Sequence, residues 1–190
     1  MKTKHIILAL ALIVFAVLFR LIPGTNNFSP IIGIALFGGY IFKNSRIGLL
    51  LPVVIYLLSD VVIQLTGGIG FYGYSQLFVY TGMLLVALLG TSLKSPKAIK
   101  LFGYAISGAL IFFIVSNFGV WVGSKMAGSI GFDADLTLWM TYVRALPFYN
   151  QFSNELFFNL FISSIGFTLM IFGLYAVVNK NVLHSEVAKA

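Results

Sequence analysis

The sequence predicts an all-α, polytopic membrane protein with six transmembrane helices, a short second helix and an outer amphipathic helix between the fifth and sixth. Three observations predict this. Hydrophobic residues make up 59% of the 190-residue chain and charged residues 9%, with a mean hydropathy of +1.01; so little polar surface cannot enclose a soluble globule. The apolar residues run continuously for roughly 18 to 24 residues at a time, the length an α-helix needs to cross a hydrocarbon core. They do not alternate as barrel strands would. Finally, the basic residues gather in short clusters at segment ends, where they set orientation in a bilayer.

The first segment, near Ile6 to Ile22, follows a basic start and resembles a secretory signal. Arg20 and Pro23 close the run without a small-x-small cleavage site, so it reads as a retained helix. The second, Pro30 to Phe42, has an apolar core of about 13 residues spanning about 20 Å. It is too short for a simple crossing and must borrow from the preceding loop, tilt or remain partly re-entrant. Segments three to five lie near Ile47 to Thr66, Gln76 to Leu93 and Leu101 to Gly123, and the sixth near Glu155 to Val178. Between the last two, Leu136, Trp139, Met140 and Val143 recur at helical spacing after Asp133 and Asp135, which predicts a short amphipathic helix on the outer surface, ended near Pro147.

The pairs Ala35/Gly39, Ala105/Ala109 and Gly119/Gly123 are small-xxx-small spacings that permit close helix approach. Ala9, Ala11 and Ala16 form a small-residue face on the first helix, suited to internal packing or to a partner subunit. No repeat or linker divides the chain, so residues 1–190 read as one integral membrane domain. With six crossings, Lys2, Lys4, Lys43, Arg46, Lys94, Lys97, Lys100, Lys180 and Lys189 fall on one side and Arg20, Lys125 and Arg144 on the other. That bias predicts a multi-pass protein of the cell (inner) membrane with both termini cytoplasmic.

Several chemistries are excluded. The absence of cysteine removes disulfides, thiolate metal sites and cysteine nucleophiles. The net charge of +7 belongs to the segment ends, so no nucleic-acid partner is expected. There is no phosphate-binding loop, no HExxH and no nucleophile elbow, so neither an enzyme nor a cofactor is expected. Gly68 to Gly73 fits GxGxxG but lacks the βαβ setting that gives the motif meaning. His5 and His184 lie at the termini, far from any carboxylate cluster, and no metal site is expected.

The remaining polar groups are costly within apolar helices unless paired or facing a wet cavity. Asp60 shares a helix face with Tyr56 and Gln64. Asn117 stands beside Ser116 with Trp121 one turn outward, Glu155, Asn159, Ser163 and Gly166 form a stripe, and Arg20 ends the first helix. All fall in the outer half, and the inner halves hold almost nothing comparable. That asymmetry predicts a cavity open to the outside in preference to a channel or proton relay. The competing reading is structural: Arg20 snorkels or pairs with Asp60 as packing, the asparagines bond between helices, and the tyrosines and tryptophans form an interfacial belt.

RLIPGTNNFSPIIGIALFGGYIF, the LLSD of the third segment, FFIVSNFGVW and LPFYNQF together resemble an uncharacterised family of small bacterial six-helix membrane proteins with RLIPHPPNFTP-like and ALFGG motifs. The likeness covers nearly the whole chain, which departs from it in carrying Gly24, Thr25 and Asn26 in place of His-Pro-Pro. That family is similar in architecture to the substrate-binding S-components of energy-coupling-factor vitamin transporters. The resemblance implies an S-component-like bundle, a gating loop at Asn26 to Pro30, pocket residues Asn27, Phe28, Asp60, Asn117 and Asn159, and a transmembrane coupling subunit working with ATPases. Arg20, Trp121 and Glu155 complete the candidate ligand-binding set. The expected function is non-enzymatic binding and uptake of a vitamin-like or polar nutrient. The alternatives are a structural or assembly subunit of a cell-envelope complex, or a lipid-directed enzyme with Asp60 or Glu155 as base.

Overall fold

The structure, a computed structural model, describes residues 3–22, 26–43, 46–127 and 131–187. Pro23 to Thr25, just before the expected gating loop, and Lys2 and Lys189 from the charge count lie outside them, as do the side chains of Lys4, His5, Ala9, Lys180 and His184. The described residues form seven helices: α1 (Thr3–Arg20), α2 (Ile31–Ile41), α3 (Arg46–Leu65), α4 (Ser75–Thr91), α5 (Ala98–Ser124), α6 (Leu138–Ala145) and α7 (Gln151–Val187). Among the described residues, α3, α5 and α7 are long and apolar enough to cross a membrane, whereas α2 and α4 are shorter apolar helices. Length alone therefore supports three of the six expected crossings.

Helix α2 is the hub. Its 11 residues rise about 16 Å, and Ile31 to Gly39 are buried without interruption between α3, α4, α5 and α7. An all-round apolar sequence suits such enclosure. Small residues set the distances. A Cβ on Gly39 would lie 2.0 Å from the Ala87 carbonyl oxygen, and one on Gly90 would lie 2.3 Å from that of Leu36, so α2 and α4 meet backbone to backbone. Ala35, Ala105 and Ala109 are fully buried. Ala16 of α1 is also fully buried within this chain, while Ala11 is exposed.

Inside α3, Pro52 has no N–H to offer the Gly48 carbonyl four residues earlier. That carbonyl oxygen lies 3.2 Å from where a Cβ of Gly38 would sit, a tight approach that glycine eases. The end of α3 is a Schellman turn: Gly67, at φ 88°, donates to Gln64 O at 3.3 Å and Gly68 donates to Ile63 O at 2.9 Å. Thr137 caps α6 by accepting from Met140 N at 3.1 Å. Asn150 caps α7 likewise from Ser153 N at 2.8 Å, which starts that helix before the expected Glu155.

Successive long helices run in alternate directions. One end gathers the C-termini of α1, α3 and α5 with the N-termini of α2, α4 and α7, and carries α6; contacts of Arg20 with Asp60, Asn26 with Glu155, and Ser75 with Gly123 tie it together. This is the polar end. At the opposite end the connections present Lys43, Arg46, Lys94, Lys97 and Lys100, all exposed.

Candidate functional site

The polar end divides into three parts. The first is a closed cluster around Asp60, whose side chain is only 1% exposed. Arg20 Nη2 pairs with Asp60 Oδ1 at 2.8 Å. On the other oxygen, Oδ2, Gln76 Nε2 donates at 2.6 Å and Tyr80 Oη at 2.8 Å. The guanidinium also lies 3.7 Å from the Tyr56 ring centroid and donates to Tyr56 O and to Ser59 Oγ. Burying an ion pair is tolerable where hydrogen bonds satisfy the remaining polar atoms; here Oδ2 has two donors and, among the described residues, Oδ1 is held by the Arg20 ion pair alone.

The 66–74 loop seals the cluster. Gly70 presses on α3 so closely that a Cβ there would lie 1.9 Å from the Asp60 carbonyl oxygen. Gln76 Nε2 donates to Gly70 O at 3.0 Å, and Gln64 Oε1 accepts from Gly70 N at 3.2 Å. Burial, then the nearby Tyr56 and Asp60, push the Tyr72 phenol above its ordinary range, so it stays neutral. The GxGxxG spacing is thus a packing loop.

The second part is a strap. Asn27 sits at φ 56°, a left-handed conformation that asparagine tolerates better than most residues. The turn aims the 26–27 backbone at α7, where Asn159 Nδ2 donates to Asn26 O at 2.8 Å and Ser163 Oγ to Asn27 O at 3.4 Å. Asn26 Nδ2 donates to Glu155 Oε1 at 3.2 Å, and Asn27 Nδ2 to Leu156 O at 3.3 Å. The polar stripe expected on the sixth segment is the strip that holds this loop. Phe28 anchors it in an aromatic group, 5.6 Å from Phe167 and 6.2 Å from Phe19 between ring centroids.

The third part is a cleft of about 370 Å³ between α5, α6 and α7. Its walls include Asn27, Ser116, Asn117, Thr141, Arg144 and Asn150, with Phe112, Phe113, Phe157 and Leu160 supplying apolar surface. Phe112, Leu136, Thr141, Ser153 and Leu160 are buried, whereas Arg144, Tyr149, Asn150 and Phe152 are exposed at the rim. Asn117 Nδ2 donates to Phe113 O at 2.8 Å. Two bonds hold α6 in place: Tyr142 Oη donates to Ile114 O at 2.8 Å, and Ser153 Oγ to Arg144 O at 2.6 Å.

The expected site is therefore brought together only in part. Asn27 and Asn117 share the cleft; Arg20 and Asp60 belong to the closed cluster; Glu155, Asn159 and Phe28 hold the strap. Trp121 lies apart against Phe118, at 5.5 Å between ring centroids. Among the described residues no group of His, Asp and Glu could hold a metal.

The pattern of DUF6580, a family of unknown function, matches residues 1–187. The chain belongs to that family. No curated protein and no solved structure matches it. In this DUF6580 protein, sequence reasoning overlooked Gln76 and Tyr80 as partners of Asp60, and Thr141, Arg144, Asn150 and Ser153 as cleft residues. Gln76 stands one turn before Tyr80 on α4, and that i, i+4 spacing was a usable signal. Arg144 carried one too, as a cation on a helix otherwise suited to lie at the interface.

Proposed function

We propose that this protein is a non-enzymatic small-molecule binding component for uptake across the cell membrane, and that the cleft between α5, α6 and α7 is its binding site. The cleft carries this reading: it lies at the polar end, is lined by aromatic surface with a few convergent amides and hydroxyls, and has a size suited to small ligands. The orientation we propose places the polar end outside, the exposed Lys and Arg end inside, and both termini in the cytoplasm. Six crossings in an S-component-like bundle fit the alternating helices, with α2 and α4 completed by their neighbours. The strap at Asn26 and Asn27, bonded to α7 beside the cleft, serves as the lid, and a coupling subunit with ATPases would supply energy.

The test is ligand-dependent thermal stabilisation of the purified protein across a panel of vitamins and polar nutrients. Stabilisation by at least one compound is expected, abolished in Asn117→Leu and preserved in Asp60→Asn. A uniformly silent panel, or binding lost only with Asp60→Asn, would overturn the assignment. A second reading, an assembly subunit of an envelope complex, draws on Trp139 and Phe148, each 77% exposed at the polar end. Stoichiometric co-purification of an envelope protein, lost on Trp139→Ser, would favour it.

A further inference from the structure

We infer that the cleft selects a small amphipathic carboxylate: an apolar or aromatic body lying against its phenylalanines, with the carboxylate held by Arg144. The inference rests on the binding-site reading above and adds the class of ligand. Its first support is charge. Among the described residues of the wall, Arg144 is the only charged side chain. An unpaired cationic ligand would meet no carboxylate there, since Glu155, although nearby in sequence, is bonded to Asn26 on the strap and is not part of the wall. A dianionic phosphate would find one positive charge in surroundings otherwise made of amides, hydroxyls and rings. A single carboxylate balances the site, and the planar guanidinium matches it through two parallel N–H donors.

The second support is the division of the walls. Phe113 and Phe157 stand edge to face at 5.5 Å and Phe157 stacks on Phe161 at 4.7 Å, so the apolar wall is held by ring contacts on both sides. Leu160 and Phe112 are buried, while Arg144 stands at the rim. A ligand with separate apolar and charged ends fits this gradient; a uniformly polar one does not. The only ion pair of Arg144 among the described residues is with Asp133 at 3.7 Å, and both side chains are over two-fifths exposed. Such a contact is weak and screened, so a bound carboxylate can replace it.

An amphipathic carboxylate can arrive from water or from the bilayer, and the experiment separates the two. The protein is placed in phosphatidylcholine nanodiscs and titrated with 4-phenylbutyrate, with its neutral analogue 4-phenylbutan-1-ol, or with oleate doped into the disc. The expected result is that at least one carboxylate binds about tenfold or more tightly than the alcohol. Arg144→Gln removes that preference, so that acid and alcohol bind alike; Arg144→Lys keeps part of it. Preference for 4-phenylbutyrate indicates a water-borne ligand, and preference for oleate alone indicates a lipid-borne one. Asp133→Asn should preserve or raise the preference, whereas a role of Arg144 confined to holding Asp133 would make it fall as in Arg144→Gln. Equal binding of acid and alcohol, with both lost in Asn117→Leu, overturns the carboxylate assignment while sparing the cleft. Binding of none of the probes overturns both.

Discussion

Asp60 shows how one residue can matter for the fold without meeting a ligand. Its carboxylate is enclosed by Arg20, Gln76 and Tyr80, so removing its charge leaves the partly buried guanidinium without compensation. Asp60→Asn is expected to lower unfolding free energy by about 3–5 kcal/mol, the cost typical of breaking a buried pair. Adding Arg20→Met should recover part of that loss, which a double-mutant cycle in detergent unfolding would measure. A loss below about 1 kcal/mol would assign the cluster the weak energetics of a surface pair. That Arg20 and Asp60 need partners was legible in the sequence, because ionisable groups in apolar helices are expensive. Their pairing was one of the sequence readings; that the pair is completed from within the chain was not legible, because the neutral Gln76 and Tyr80 look like ordinary interfacial residues.

At the scale of elements, the 66–74 loop does more than connect α3 to α4. Gly70 has no room for a methyl group against the Asp60 carbonyl, so Gly70→Ala must lift the loop off the cluster. Overpacking of this kind costs about 1–3 kcal/mol, and amide exchange should quicken at Gly70 and Phe71, whose N–H groups donate to Gln64 Oε1. Gly166→Ala on α7, with open space around it, is the control and should be neutral or slightly stabilising. Unchanged stability and exchange in Gly70→Ala would show that the loop does not seal the cluster. The helices themselves were readable from continuous apolar runs, within a few residues at most ends. The start of α7 was missed because Asn150 acts through its side-chain cap, and the burial of α2 because length says only that a helix is short, not what surrounds it.

For the whole molecule, the basic and polar ends give it a direction. A chain without cysteine is a convenient background for testing it. Ala134→Cys, at the polar end, should react with a membrane-impermeant maleimide in intact cells, and Ala98→Cys, at the basic end, only after permeabilisation; both positions are exposed. The reverse pattern would invert the proposed orientation and place the cleft inside. The common depth of the polar groups was visible in the sequence, and in the structure these groups gather at one end of the bundle. Their grouping into a single cavity was an inference from depth alone, which cannot distinguish residues on different sides of a bundle. Asp60 and Asn117 are separated on this ground: one faces α1 and α4, the other α6 and α7.

The enclosed position of α2 also dictates an order of events. It emerges early in synthesis, yet one wall of its groove is Phe167 and Thr168, whose backbone lies about a methyl group's reach from Gly33. More than a hundred residues must therefore follow before the core can close, and until then an 11-residue apolar rod has to shelter against α3, α4 and lipid. Helix α7 thus completes the enclosure of α2. A chain stopped short of α7 would keep most of its charges and most of its hydrophobic length, and still lack a completed centre.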